Sequence, residues 1–106
     1  MKVQDFKNNR IMVVDDEEFC ISASKSLLNG LGIDVLHQVD FCIDGGEAVD
    51  ALIESYKNGL SYKLIFTDFK MTKMDGIEAT MKMRKYLKEF QKGKDHPVII
   101  GVTGHV

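Results

Sequence analysis

Three aspartates carry the reactive potential of this sequence. Asp15 and Asp16 follow the apolar run Ile11-Met12-Val13-Val14, and Asp68 stands two residues past the run Leu64-Ile65-Phe66. If the two runs are neighbouring strands, their ends lie about 4.8 Å apart and the three carboxylates crowd one crevice. Like charges that close repel unless one takes a proton or a cation intervenes. A hard, oxygen-seeking ion meets that need, because magnesium uses one or two carboxylates and fills its other positions with water and phosphate oxygens. The cluster therefore points to a metal, and the metal's open positions point to a phosphoryl ligand. Taken alone, an Asp-Asp pair after a strand serves equally well as a helix cap, so the reading depends on the elements around it.

Those elements are legible in the hydrophobic period. Ile11–Val14 suits a strand buried on both faces. Cys20, Ala23, Leu27 and Leu31 then recur at helical spacing behind Glu17 and Glu18, which favour the positive helix start, and Gly30 and Gly32 supply the stop. Val39, Phe41 and Ile43 alternate with Asp40 and Cys42 as in an edge strand. Asp44 with Glu47 reads as a capping box for a helix bearing Ala48, Leu52 and Tyr56 on one face, ended by Asn58-Gly59. Leu64–Phe66 is a second buried strand reaching Asp68. Asp75-Gly76 makes a turn before a helix opened by Ile77 and striped by Ala79, Met83, Leu87 and Phe90, and Val98–Val102 follows as a strand with Pro97 tolerated at its start. The order β-α-β-α-β-α-β calls for parallel strands with right-handed crossovers. The predicted fold class is α/β, an open doubly wound parallel sheet, in which ligands sit outside the carboxyl ends of the strands where the strand order reverses.

Bulk properties narrow the function classes. The 106 residues are 44% hydrophobic and 28% charged, the balance of one folded domain. A formal net charge of -2 lacks the basic footprint of non-specific nucleic-acid binding. No apolar run approaches the roughly 20 residues of a membrane span, and the polar, mixed-charge start is not a signal peptide. A cytoplasmic protein without membrane insertion is expected, with Cys20 and Cys42 as buried free thiols, a disulfide or metal pair being the alternative. Residues 1–9 read as a polar N-terminal tail and 10–106 as the domain. His37 and His96 are expected at the surface, and Met71, Met74, Met81 and Met83 in core and loop packing.

The segments IMVVDDE from Ile11, FTDFKMTKMDG from Phe66 and VIIGVTG from Val98, with Asp44-Gly45-Gly46-Glu47-Ala48 between them, resemble the receiver domain of two-component response regulators. The likeness runs from about Arg10 to the last residue. It implies a flavodoxin-like receiver fold and a phosphoacceptor module of a phosphorelay. Asp68 matches the nucleophile that takes a phosphoryl group from a phosphohistidine on a histidine kinase or histidine phosphotransfer protein. Asp16 matches a direct Mg2+ ligand (Mn2+ being the alternative ion), Asp15 a residue holding the metal mainly through water, and Lys70 a backbone-carbonyl ligand. Thr103 matches the hydroxyl that binds the new phosphoryl group, and Gly104 the small residue that leaves the site open. Lys70 and His105 fall where the family tunes the lifetime of the aspartyl phosphate.

The chain also departs from that pattern. Thr72 stands where receivers usually carry proline, and no residue matches the family's phosphoryl-pairing lysine. The resemblance further implies a helix, a strand and a helix after Val106 that are absent from this chain. Residues 10–106 are thus expected to be incomplete at the C-terminus, with Val98–Val102 an edge that invites self-association. The expected activity is signalling, with at most weak intrinsic phosphoryl transfer and autodephosphorylation. Two other readings compete. One is a degenerate receiver acting as a scaffold. The other is a magnesium-dependent phosphohydrolase of the haloacid dehalogenase type, which wants Asp-x-Asp where this chain has adjacent aspartates.

Overall fold

The computed structural model describes residues 7–68 and 75–102. Eight elements run in the order β1 (Arg10–Val14), α1 (Glu18–Gly30), α2 (Val35–Gln38), β2 (Val39–Cys42), α3 (Gly45–Lys57), β3 (Tyr62–Asp68), α4 (Gly76–Phe90) and β4 (Val98–Val102). The strands form one parallel sheet in the order β2-β1-β3-β4. The chain first steps outward from β1 to β2, then crosses back to β3 and on to β4, so the strand order reverses between β1 and β3. The predicted α/β doubly wound sheet, the flavodoxin-like receiver arrangement, is present, with β2 at an edge as expected.

Each strand feeds both faces. Met12, Val14 and Ile65 meet Ala48, Leu52 and Tyr56 of α3 and Ala79, Met83 and Leu87 of α4 in the main core. Ile11, Val13 and Val39 pack under Leu28 of α1 on the other face. Full burial of a side chain of the size of Leu52 or Met83 contributes about 2–3 kcal/mol, which is why these stripes fix the helices on the sheet. Caps set the helix starts: Asp44 Oδ1 accepts from the Glu47 N–H and Asp75 Oδ1 from the Glu78 N–H, both at 2.8 Å. Gly32 and Gly59 supply the left-handed turns after α1 and α3, with φ of 85° and 77°.

Several expectations change. Helix α1 is turned about one residue from the predicted face: Leu27 and Leu31 are exposed and Leu28 faces the sheet, because it is Leu28 that reaches Ile11, Val13 and Val39. Phe90 falls off the buried stripe of α4 and lies outside against Tyr86, with ring centroids 5.3 Å apart. Met83 is buried but Met81 is exposed, since 81 and 83 lie on different sides of the helix. Helix α2 has no counterpart in the sequence reading, being one short turn capped by Asp34. Cys42 is buried and free, whereas Cys20 is only half-buried. His37 and His96 are exposed, as expected.

Lysines and one arginine mark the outer surface. Lys63 is an extra residue in β3, because Arg10 pairs with Tyr62 but Ile11 with Leu64; this bulge turns Tyr62 inward and leaves Lys63 outside. The exposed face of α4 and the turn after it carry Lys82, Arg84, Lys85, Lys88, Lys92 and Lys94.

Candidate functional site

β1 ends in Val14, paired with Thr67, so β1 and β3 deliver their last residues side by side. Asp15 follows at once and is pinned by its own N–H, which donates to the Cys42 carbonyl at 3.0 Å. Its carboxylate accepts from the Glu17 N–H at 3.0 Å, turning the chain into α1. Asp68 is the last residue of β3 and pairs with Val102 of β4. Beneath it Thr67 is fully buried, anchoring the strand end.

The three carboxylates predicted from the sequence are brought together. Asp15, Asp16 and Asp68 are half-buried, and each offers an oxygen such that all three atoms lie within 4.8 Å of one another. An octahedral Mg2+ with bonds near 2.1 Å sets its ligand oxygens about 3 Å apart when adjacent and about 4 Å apart when opposite, so oxygens within 4.8 Å of one another are near enough for one such ion to be held by some directly and by others through water. All three sit at the carboxyl ends of the strands, at the reversal between β1 and β3. Lys70 and Thr103, the other predicted site residues, lie outside the described residues, as do Thr72, Gly104 and His105.

One neighbour was missed by sequence reasoning. Cys20, read as a core thiol, stands on the first turn of α1, near enough to the site to feel the Asp15 carboxylate. Partial burial, then the charges of Asp15 and Glu17, push its thiol up. The signal available was its place five residues after Asp15, one turn into a helix that begins beside the site.

Comparison with known proteins agrees with this arrangement. The family model described as "Response regulator receiver domain" matches residues 11–106. Histidine kinase 5 of Arabidopsis thaliana is 32% identical over 85 residues, covering 80% of this chain and 8% of that protein. The osmosensing histidine protein kinase SLN1 of Saccharomyces cerevisiae is 35% identical over 78 residues, covering 74% of this chain and 6% of that protein. The chain thus spans less than a tenth of these two curated relatives. Among solved structures, the receiver domain of the histidine kinase CKI1 from Arabidopsis thaliana, complexed with Mg2+, superposes with a TM-score of 0.75 at 33% identity, covering 92% of this chain and 69% of that one. Sequence motifs, strand order and these matches agree: the chain belongs to the response regulator receiver-domain family of two-component phosphorelay signalling.

Proposed function

We propose that Asp68 is the phosphoacceptor of this receiver, taking a phosphoryl group from a phosphohistidine on a histidine kinase or histidine phosphotransfer protein. The carrying observation is the convergence of Asp15, Asp16 and Asp68 within 4.8 Å at the strand reversal. In the transfer an Asp68 carboxylate oxygen attacks phosphorus, an O–P bond forms, the N–P bond breaks and the imidazole leaves. Asp16 and Asp68 would ligate Mg2+ directly and Asp15 mainly through water, with the Lys70 carbonyl as a further ligand; Mn2+ fits the same oxygen donors. When bound, the ion neutralises phosphoryl oxygens and aligns the displacement. The Thr103 hydroxyl would hold the transferred group, and Lys70 would tune its lifetime.

The protein's own part is position and charge. Short apolar strands hold the acceptor rigidly, and neighbouring carboxylates keep the crevice anionic until a cation enters. The same reading makes the protein a cytoplasmic signalling module with weak autodephosphorylation, and residues 10–106 its receiver unit behind a polar segment, 1–9. Val98 and Ile100 are exposed on β4, whose outer edge is unpaired among the described residues, and this supports self-association along that strand. Gel filtration checks the last point, a dilution-stable monomer counting against it.

Incubation with acetyl phosphate and Mg2+, followed by mass measurement, tests the central proposal. One acid-stable, base-labile phosphoryl group that disappears in Asp68→Asn is the expected result. Continuous turnover would indicate a phosphohydrolase, and no labelling a scaffold.

A further inference from the structure

Packing does not explain the residue type at position 67. Tyrosines aside, Thr67 is the polar residue among those described that is completely buried, at 0% exposure. Strand alternation puts its side chain on the same face as Ile65, whose surroundings are the apolar layer of Met12, Val14, Ala79 and Met83. Its ladder neighbours are Val14 on β1 and Gly101 on β4, and neither offers a polar side chain. Valine has nearly the same shape and would enter this layer with no hydroxyl to desolvate. Departures from a local rule of this kind concentrate at functional sites.

The hydroxyl is committed to the acceptor residue. Thr67 Oγ1 donates to the Asp68 carbonyl oxygen at 3.3 Å. That bond closes a ring running through both backbone torsions of Asp68, so it restrains φ and ψ of the residue that bears the acceptor carboxylate. The restraint falls where the sheet gives least support. The β1 ladder ends at Val14, opposite Thr67, and Asp68 is paired on the β4 side only. At 3.3 Å this is a long neutral hydrogen bond, so its energy is modest and its effect is on direction. Direction matters here, because Asp68 must keep an oxygen within 4.8 Å of those of Asp15 and Asp16 for one ion to be shared. Small misplacements in such a constellation are costly.

We propose that Thr67 is a positioning residue: its hydroxyl, by holding the Asp68 carbonyl, sets the direction in which the Asp68 carboxylate meets the metal. The inference rests on the phosphoacceptor reading of Asp68 and adds to it a residue that touches neither metal nor phosphoryl group.

Two substitutions separate position from packing. Thr67→Val keeps the shape and removes the hydroxyl, whereas Thr67→Ser keeps the hydroxyl and removes a buried methyl. Calorimetric titration with Mg2+ and the rate of labelling by acetyl phosphate are measured below the lowest melting temperature of the three proteins. Thr67→Val is expected to weaken Mg2+ binding and slow labelling about fivefold each, the worth of one neutral hydrogen bond. Thr67→Ser melts lower, having lost the methyl, yet keeps both values near those of the parent. A role in packing alone predicts the reverse order, with serine the more damaged. Thr67→Val matching the parent in Mg2+ affinity, or Thr67→Ser falling as far as Thr67→Val, would overturn the proposal. A parent that binds Mg2+ but takes no phosphoryl group breaks the acceptor reading instead, and the ratio of Mg2+ affinities still decides the role of Thr67.

Discussion

Tyr62 donates its hydroxyl proton to Asp40 Oδ2 at 2.6 Å, linking the first residue of β3 to the edge strand β2 past β1 between them. The same carboxylate receives Arg10 Nη2 at 2.7 Å and Nε at 3.3 Å, and Ser55 donates to the Tyr62 oxygen at 3.1 Å. One aspartate thus ties three strands at the end of the sheet remote from Asp68. Asp40→Ala leaves Tyr62 and Arg10 without their acceptor. Because Asp40 is about a third exposed (35%), solvent screens part of the loss, and about 2 kcal/mol of stability should go. Urea denaturation measures it, and acetyl phosphate labelling of Asp68 should persist in the variant.

The two sides of the helices predict opposite sensitivities. Leu52 is fully buried between α3 and the sheet, so Leu52→Ala should cost about 3 kcal/mol through lost burial and the cavity left behind. Leu36, 83% exposed on α2, should tolerate alanine within about 0.5 kcal/mol. Equal effects in a denaturation series would contradict the assigned core.

Alkaline pH should weaken the fold. Burial, then the charges of Glu47, Asp40 and Asp44, pushes the Cys42 thiol from 9.0 up to about 12. The folded state keeps that proton where the unfolded chain releases it, so this contribution is complete below pH 9.0 and is lost as pH rises toward about 12. The slope from one such group is about 1 kcal/mol per pH unit. Tyr62 and Tyr56 shift in the same direction, burial again being the first cause. Stability measured against pH should therefore fall less steeply in Cys42→Ala than in the parent, whatever its starting value.

Metal dependence is expected of the carboxylate trio. Asp16→Ala should weaken Mg2+ binding about tenfold or more, and a chelator should abolish labelling of Asp68 by acetyl phosphate. Calorimetric titration of the parent and the variant gives the ratio, and equal affinities would remove Asp16 from the site.

The sheet and its acidic end were legible because both arise from short-range rules. Apolar runs of four or five residues with Asp15, Asp16 and Asp68 just beyond them require only a strand period and parallel order to converge. The cap at Asp44 was equally readable, where the accepting side chain and its N–H donor lie three residues apart, and Asp75-Gly76 was legible as a turn and helix start. The face of α1 was not, since Leu27, Leu28 and Leu31 satisfy helical spacing on either side, and only the position of Ile11 and Val13 selects Leu28. Nor was the Lys63 bulge: an extra residue leaves no mark in a seven-residue strand whose partner lies fifty residues away. The influence of Asp15 on Cys20 escaped for a related reason, as a thiol in an apolar helix carries the signature of core.

Helix α4 runs back against the strands, and its lysines and arginine fall mainly toward the amino ends of the sheet while the three aspartates hold the carboxyl ends. The molecule is therefore electrically polarised along its strands despite a net charge of only -2. A cation approaching through solvent is drawn to one pole and an anion to the other before either touches a side chain. Encounter with a charged partner begins already oriented, and dissolved salt, by flattening that field, should slow the meeting more than it loosens the complex.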